Sequence, residues 1–117
     1  MPLNIYYLDD EVGLCEIFYD FFSSEYIKIT TFYDPNQAIK AIYVDPPDLL
    51  FIDYSMPEMN GDDVAAAVSK NIPKILVTGD IGNKHSKHYL RVIPKPFDFK
   101  VIQDVINHFL NNAALKK

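Results

Sequence analysis

The chain predicts an α/β fold, a doubly wound five-stranded parallel sheet in the flavodoxin-like order 2-1-3-4-5 with helices on both faces. Three observations lead there. Short apolar runs of strand length alternate with longer segments whose apolar residues recur at helical spacing, the pattern of successive strand-helix units joined by right-handed crossovers. The central run, Leu49-Leu50-Phe51-Ile52, is apolar without interruption, which suits a strand covered on both faces. Several strands also stop abruptly on a chemically capable residue, and open parallel sheets bind ligands just outside their carboxyl edges.

The first strand, Leu3 to Leu8, is broken only by Asn4 and ends at Asp9-Asp10-Glu11. From Val12 the period lengthens. Val12, Cys15, Ile17, Phe18, Phe21 and Phe22 make the stripe of an amphipathic helix that stops near Ser23-Ser24. Ile27 to Phe32 alternates apolar with polar, as a half-exposed strand near a sheet edge does. Asp34 is placed to cap a second helix with Pro35 in its first position and Ala38, Ile39, Ala41 and Ile42 on its apolar face. Pro46-Pro47 breaks that helix.

After the third strand ends at Asp53, Pro57 and Asn60-Gly61 punctuate a loop, and a third helix is expected from about Gly61 through Val68 to the Asn71-Ile72-Pro73 stop. Lys74 to Thr78 is the fourth strand, closed by Gly79, whose small size is expected to let the backbone come close there. Residues 79–88 are polar and hold Gly79 and Gly82, so the fourth helix is expected to be shortened or missing. Tyr89 to Ile93 is the fifth strand. Pro94 cannot donate to a ladder, which puts that strand at an edge. The last helix is expected from Asp98 to about Asn112, with Val101, Ile102, Val105, Ile106, Phe109 and Leu110 inward.

A length of 117 residues suits one domain, expected over 1–117. The hydrophobic share of 49% and charged share of 23% exclude a disordered chain. No apolar run approaches the roughly 20 residues of a membrane helix, and Met1-Pro-Leu-Asn lacks a basic leader. A cytoplasmic location and no membrane partner are expected. The net charge of -5 argues against nucleic acid as a partner, because phosphate contacts need a basic face. Cys15 is the one cysteine, which leaves no internal disulfide, and its apolar neighbours make it a small buried hydrophobe.

In the predicted order the first and third strands lie side by side, so Asp9, Asp10 and Asp53 converge from two loops. Three carboxylates in one place repel strongly unless one is protonated or a divalent cation sits among them. Oxygen ligands without His or Cys select a hard ion, Mg²⁺ or alternatively Mn²⁺. With its charge screened, Asp53 can attack a phosphoryl donor as a carboxylate nucleophile. Thr78 and Lys95, at the ends of the fourth and fifth strands, can meet the new phosphoryl oxygens with a hydroxyl and an ammonium. Taken singly, these residues read as a helix cap, a β-former and a turn residue; four strand ends in this combination are hard to obtain by chance. His85 and His88, with no acid at ligand spacing, read as exposed loop residues.

In Asp9-Asp10, Asp53 with Met56-Pro57 and Gly61, Thr78-Gly79, and Lys95-Pro96-Phe97, nearly the whole chain resembles the receiver domain of two-component response regulators, in a stand-alone, chemotaxis-receiver-like form. The resemblance implies that Asp53 is the phosphoacceptor, charged by a histidine kinase or phosphotransfer protein. It implies that Asp9 and Asp10 hold the metal with Asp53 and the backbone carbonyl of Ser55. Thr78 is then the switch hydroxyl and Lys95 the family's lysine, followed by a cis bond to Pro96. Such a domain is a signalling phosphoacceptor and not an enzyme in the ordinary sense; the downstream target protein is not identified by the sequence.

Two features depart from that family. Val92 stands where receivers usually carry an aromatic residue three places before the lysine, with Tyr89 as a candidate substitute, and the segment between Thr78 and Lys95 is short. Two other readings stay open on the sequence. An aspartyl-phosphate-type phosphohydrolase shares the nucleophile, metal and lysine, but normally needs an acid where Ser55 stands and a substrate cap. A receiver-like interaction module that is never phosphorylated is the third, against which the intact acid set argues.

Overall fold

The chain forms β1 (Leu3–Leu8), α1 (Val12–Phe22), β2 (Ile27–Phe32), α2 (Pro35–Val44), β3 (Leu49–Asp53), α3 (Gly61–Ala67), β4 (Lys74–Thr78), β5 (Arg91–Pro94) and α4 (Phe99–Leu115). This is a computed structural model that describes residues 2–79 and 88–115. All four strand pairings are parallel and the sheet order is β2-β1-β3-β4-β5, as the sequence predicts. The reversal of strand order falls between β1 and β3, so the loops that follow these two strands leave the sheet side by side.

The two-residue alternation of the strands divides the core into two layers. Ile5, Tyr7, Phe51, Val77 and Ile93 face Cys15, Phe18 and Phe22 of α1 and Ile102 and Ile106 of α4. Tyr6, Leu8, Leu50 and Ile52 face Ala38 and Ile42 of α2 and Val64 and Ala65 of α3. Strands β3 and β4 are buried at every position, which accounts for the apolar runs 49–52 and 75–77 within them; the buried polar residues Asp53, Lys74 and Thr78 stand at the strand ends. Edge strand β2 begins by alternating buried with exposed, and β5 on the opposite edge ends at Pro94, in register with Thr78.

The helix boundaries have local causes. Asp34 Oδ1 accepts the Asn36 amide at 3.0 Å, and Pro35 needs no partner at the first helical position. At the start of α3 the Asn60 side chain accepts from the Asp63 amide at 2.9 Å while the Asp63 carboxylate accepts from the Asn60 amide at 3.1 Å, a reciprocal cap. Asp98 Oδ1 accepts the Lys100 amide at 3.0 Å ahead of α4.

Four expectations need correction. Val12, Ile17 and Phe21 do not belong to the buried stripe of α1: they are 46%, 45% and 56% exposed, and the helix buries Cys15, Phe18 and Phe22. Helix α3 ends at Ala67, because Val68 turns extended and the Lys74 ammonium gathers the carbonyls of Ser69 and Ile72 that follow. Strand β5 begins at Arg91, since the Tyr89 hydroxyl is committed to Asp62 of α3 at 2.7 Å. No close backbone approach is seen at Gly79 among the described residues; a Cβ there would meet none of them within 4 Å. Four helices are present among the described residues. The segment after Gly79, where the fourth helix is expected to be shortened or missing, falls largely on residues 80–87, His85 included, and lies outside the described residues; His88 is exposed.

Candidate functional site

The ends of β1 and β3 place Asp9 and Asp53 next to each other because the two strands pair directly, Leu8 opposite Ile52. Backbone bonds fix both loops as they leave the sheet: the Asp9 amide donates to the Phe32 carbonyl at 3.0 Å and the Tyr54 amide to the Val77 carbonyl at 3.1 Å. Asp9 and Asp53 are buried, Asp10 is exposed, and one carboxylate oxygen from each lies within 4.8 Å of the other two. Into this group reaches Lys95. Its ammonium is 2.9 Å from Asp53 Oδ1, 3.0 Å from Asp9 Oδ2 and 3.6 Å from Glu11 Oε1.

Thr78 is buried at the end of β4, one residue beyond the partner of Asp53 in the β3–β4 register. Its carbonyl accepts the Lys95 amide at 2.9 Å, so the ends of β4 and β5 are tied together beside the acids. The Lys95–Pro96 bond is cis. Ser55 is exposed in the loop after Asp53. Val92 is half-buried within β5, whereas Tyr89 packs against the α2–α3 layer with its hydroxyl on Asp62.

At the far side of that loop, Gly61 sits against the end of β3. Its amide donates to the Tyr54 carbonyl at 2.8 Å, and an added Cβ would lie 2.9 Å from the Asp53 carbonyl oxygen. Only a residue without a side chain fits there unless the backbone moves.

Burial pushes the Asp53 carboxyl up to about 6; the hydrogen bond from Lys95 opposes that rise and the charges of Asp9 and Asp10 add to it. Burial alone would lower Lys95, but hydrogen bonds to Asp53 and Asp9, together with their charges, outweigh it and leave the ammonium above its ordinary value. The Cys15 thiol, 3.2 Å from the Asp9 carbonyl, is pushed up to about 12, first by burial and then by the Asp9 charge. It is inert packing, as the sequence suggests.

Two residues at the site escaped the sequence reading. Glu11, read in the sequence only as part of the acidic strand end, is a third acid within reach of Lys95. Tyr7, fully buried, donates its hydroxyl to Asp9 Oδ2 at 2.8 Å, and burial followed by the Asp9 charge raises it so far that it stays protonated. The signal for Tyr7 was present. Residues two apart on a strand share a face, so a Tyr two places before a strand-end Asp can reach its carboxylate.

The donor set suits a small hard cation. It consists of oxygens alone, two from buried acids and one from an exposed acid that leaves the cluster open to water. The ammonium of Lys95 supplies the balancing positive charge that buried carboxylates require.

Sheet order and acidic cluster together place the protein among flavodoxin-like α/β domains that carry a charged bowl at the point where strand order reverses. The sequence model of the response regulator receiver domain matches residues 5–107, and the chain belongs to that family. Solved receiver domains share its fold. A signal receiver domain from Vibrio parahaemolyticus superposes with a TM-score of 0.85 at 22% identity, covering 99% of this chain and 95% of that one. The response regulator TrrA from Thermotoga maritima, in complex with Mg(2+)-BeF, gives 0.82 at 23% identity over 93% of this chain and 99% of that one. A CheY-like receiver domain from Methanospirillum hungatei gives 0.84 at 16% identity with complete coverage, 100% of both chains.

Proposed function

We propose that this chain is one receiver domain, spanning 1–117, that accepts a phosphoryl group on Asp53 in a two-component or phosphorelay system. The observation that carries the reading is the bridging of Asp9 and Asp53 by Lys95 at 3.0 and 2.9 Å, beside a third carboxylate. A carboxylate oxygen of Asp53 attacks the phosphorus of a phosphohistidine on a histidine kinase or phosphotransfer protein. The phosphorus–nitrogen bond breaks, and the leaving imidazole keeps the electron pair and takes up a proton.

Asp9, Asp10, Asp53 and the Ser55 carbonyl would hold Mg²⁺, with Mn²⁺ able to replace it; the Mg(2+)-BeF bound by TrrA supports this. When bound, the cation offsets the charge of the acids and of the incoming phosphoryl oxygens. The Thr78 hydroxyl and Lys95 ammonium then bind the phosphoryl oxygens on Asp53. Because the Lys95 amide is bonded to the Thr78 carbonyl, the two strand ends respond together, and the added charge biases the loops toward a second arrangement. The output is altered binding of a target protein, in the cytoplasm, without nucleic acid or membrane contact. No described helix is long and apolar enough to cross a membrane.

The test is intact mass after incubation with Mg²⁺ and acetyl phosphate, for wild type and Asp53→Asn. One added phosphoryl group in the wild type and none in the variant is the expected result. Sustained turnover of phosphate esters would favour a phosphohydrolase, and no addition at all would leave an inert interaction module.

A further inference from the structure

Asp9 is fully buried and takes three donors. Oδ1 accepts the Glu11 amide at 3.0 Å, while Oδ2 accepts both the Tyr7 hydroxyl at 2.8 Å and the Lys95 ammonium at 3.0 Å. The two donors on Oδ2 differ in freedom. Lys95 stands on a loop, partly exposed, on a long flexible stem that also serves Asp53 and Glu11. Tyr7 cannot move: its ring stacks on Phe18 at 4.4 Å and 14°, meets Phe97 edge-on at 5.8 Å, and lies 6.4 Å from Phe51. Its side chain has two rotatable bonds, and the surrounding rings fix both.

We propose that Tyr7 is a positioning residue that fixes the Asp9 carboxylate for the divalent cation and thereby sets the affinity of the site. This rests on the receiver reading given above. A cation entering the cluster competes with the Lys95 ammonium for Asp9 and Asp53. When the ammonium withdraws, the phenol alone still holds Oδ2, so Asp9 meets the cation in the orientation it already has. Without the phenol, Oδ2 is held by Lys95 only. The carboxylate, then anchored only at Oδ1 by the Glu11 amide, can swing about that bond as the lysine leaves, and the cation must displace the ammonium and also fix the orientation of its ligand. Groups that orient a metal ligand from behind commonly change affinity ten- to a hundredfold.

The test is calorimetric Mg²⁺ titration, with no phosphodonor, of wild type, Tyr7→Phe and Tyr6→Phe. Tyr6 is the matched control: it neighbours Tyr7 on β1, but its hydroxyl donates to the Asp45 carbonyl at 2.7 Å in the other layer. Loss of about tenfold in Mg²⁺ affinity in Tyr7→Phe, with Tyr6→Phe like wild type, is expected. Equal affinities for wild type and Tyr7→Phe, or equal losses in both variants, overturn the inference while leaving the receiver reading intact. A wild type that binds no Mg²⁺ overturns both. Should Tyr7→Phe fail to fold, the wild type with ring-labelled tyrosines decides. The Tyr7 resonance must shift with Mg²⁺ occupancy while that of Tyr6 stays still, and an unmoved Tyr7 resonance sinks the proposal.

Discussion

Two lysines are drawn into opposite ends of the same sheet, and they keep different company. At the carboxyl edge Lys95 faces carboxylates, 2.9 Å from Asp53 and 3.0 Å from Asp9, and its proton is held more tightly than in water. At the amino edge Lys74 is 3% exposed and donates to the carbonyls of Ser69 at 2.7 Å and Ile72 at 2.9 Å; burial makes its proton easier to lose. Carbonyls belong to the chain and go nowhere, so Lys74 ties a turn. Carboxylates accept any cation, so the place of Lys95 can be taken by another charge. On the proposed function, one ammonium is structural and the other exchangeable, although each is the same group at a strand end.

The sharpest way to break this contrast is to remove each ammonium in turn. Lys95→Met leaves Asp9 and Asp53 buried and facing each other, and stability without divalent ions should fall by about 2–4 kcal/mol in urea titrations. Added Mg²⁺ should recover most of that loss. If Mg²⁺ stabilises the variant no more than it does the wild type, the lysine and the cation do not share a place.

A smaller effect is expected from Lys74→Met, which keeps the length of the stem and strips two carbonyls of their donor. The cost should be about 1–3 kcal/mol, indifferent to Mg²⁺, with acetyl phosphate labelling of Asp53 unchanged. A loss that Mg²⁺ could repair would blur the distinction between the two ends.

The smallest effect sharpens the comparison on the alkaline side. Lys95 has a folded value raised above 10.5, so its stabilisation is complete below 10.5 and is lost as pH climbs through the raised value. Lys74 has a folded value below 10.5, so the cost of burying its charge is complete below that lowered value and is relieved as pH rises toward 10.5. Urea titrations from about pH 8 to 11 should therefore show Lys95→Met losing a downward slope and Lys74→Met losing an upward one. Slopes changed in the same direction would refute the assignment.

Much of this was visible in the residues themselves. Leu49 to Ile52 suits a strand covered on both sides, and the apolar run that stops dead at Asp53 marks both the strand end and the candidate nucleophile. Asp9, Asp53 and Lys95 then meet because strand order puts their loops together. Spacing reports which residues share a side of α1, but not how much surface its neighbours cover. Phe21 therefore keeps to the rim, stacked on Phe99 at 4.2 Å and more than half exposed. The burial of Lys74 is not legible at the start of its strand, because nothing local reveals that the turn from Ser69 to Ile72 folds its carbonyls over the ammonium. Tyr7 hides among apolar neighbours, since an aromatic ring in a buried run looks like filling until its hydroxyl is followed to Asp9.

The bare Cα of Gly61 has a mechanical meaning. With no methyl between helix and strand, and the Gly61 amide on the Tyr54 carbonyl, α3 is pinned to the peptide that carries Asp53 like a lever to its fulcrum. A methyl at that Cα would have to wedge the first turn of the helix away from the strand end, so the spacing between the two is set by the absence of one carbon atom.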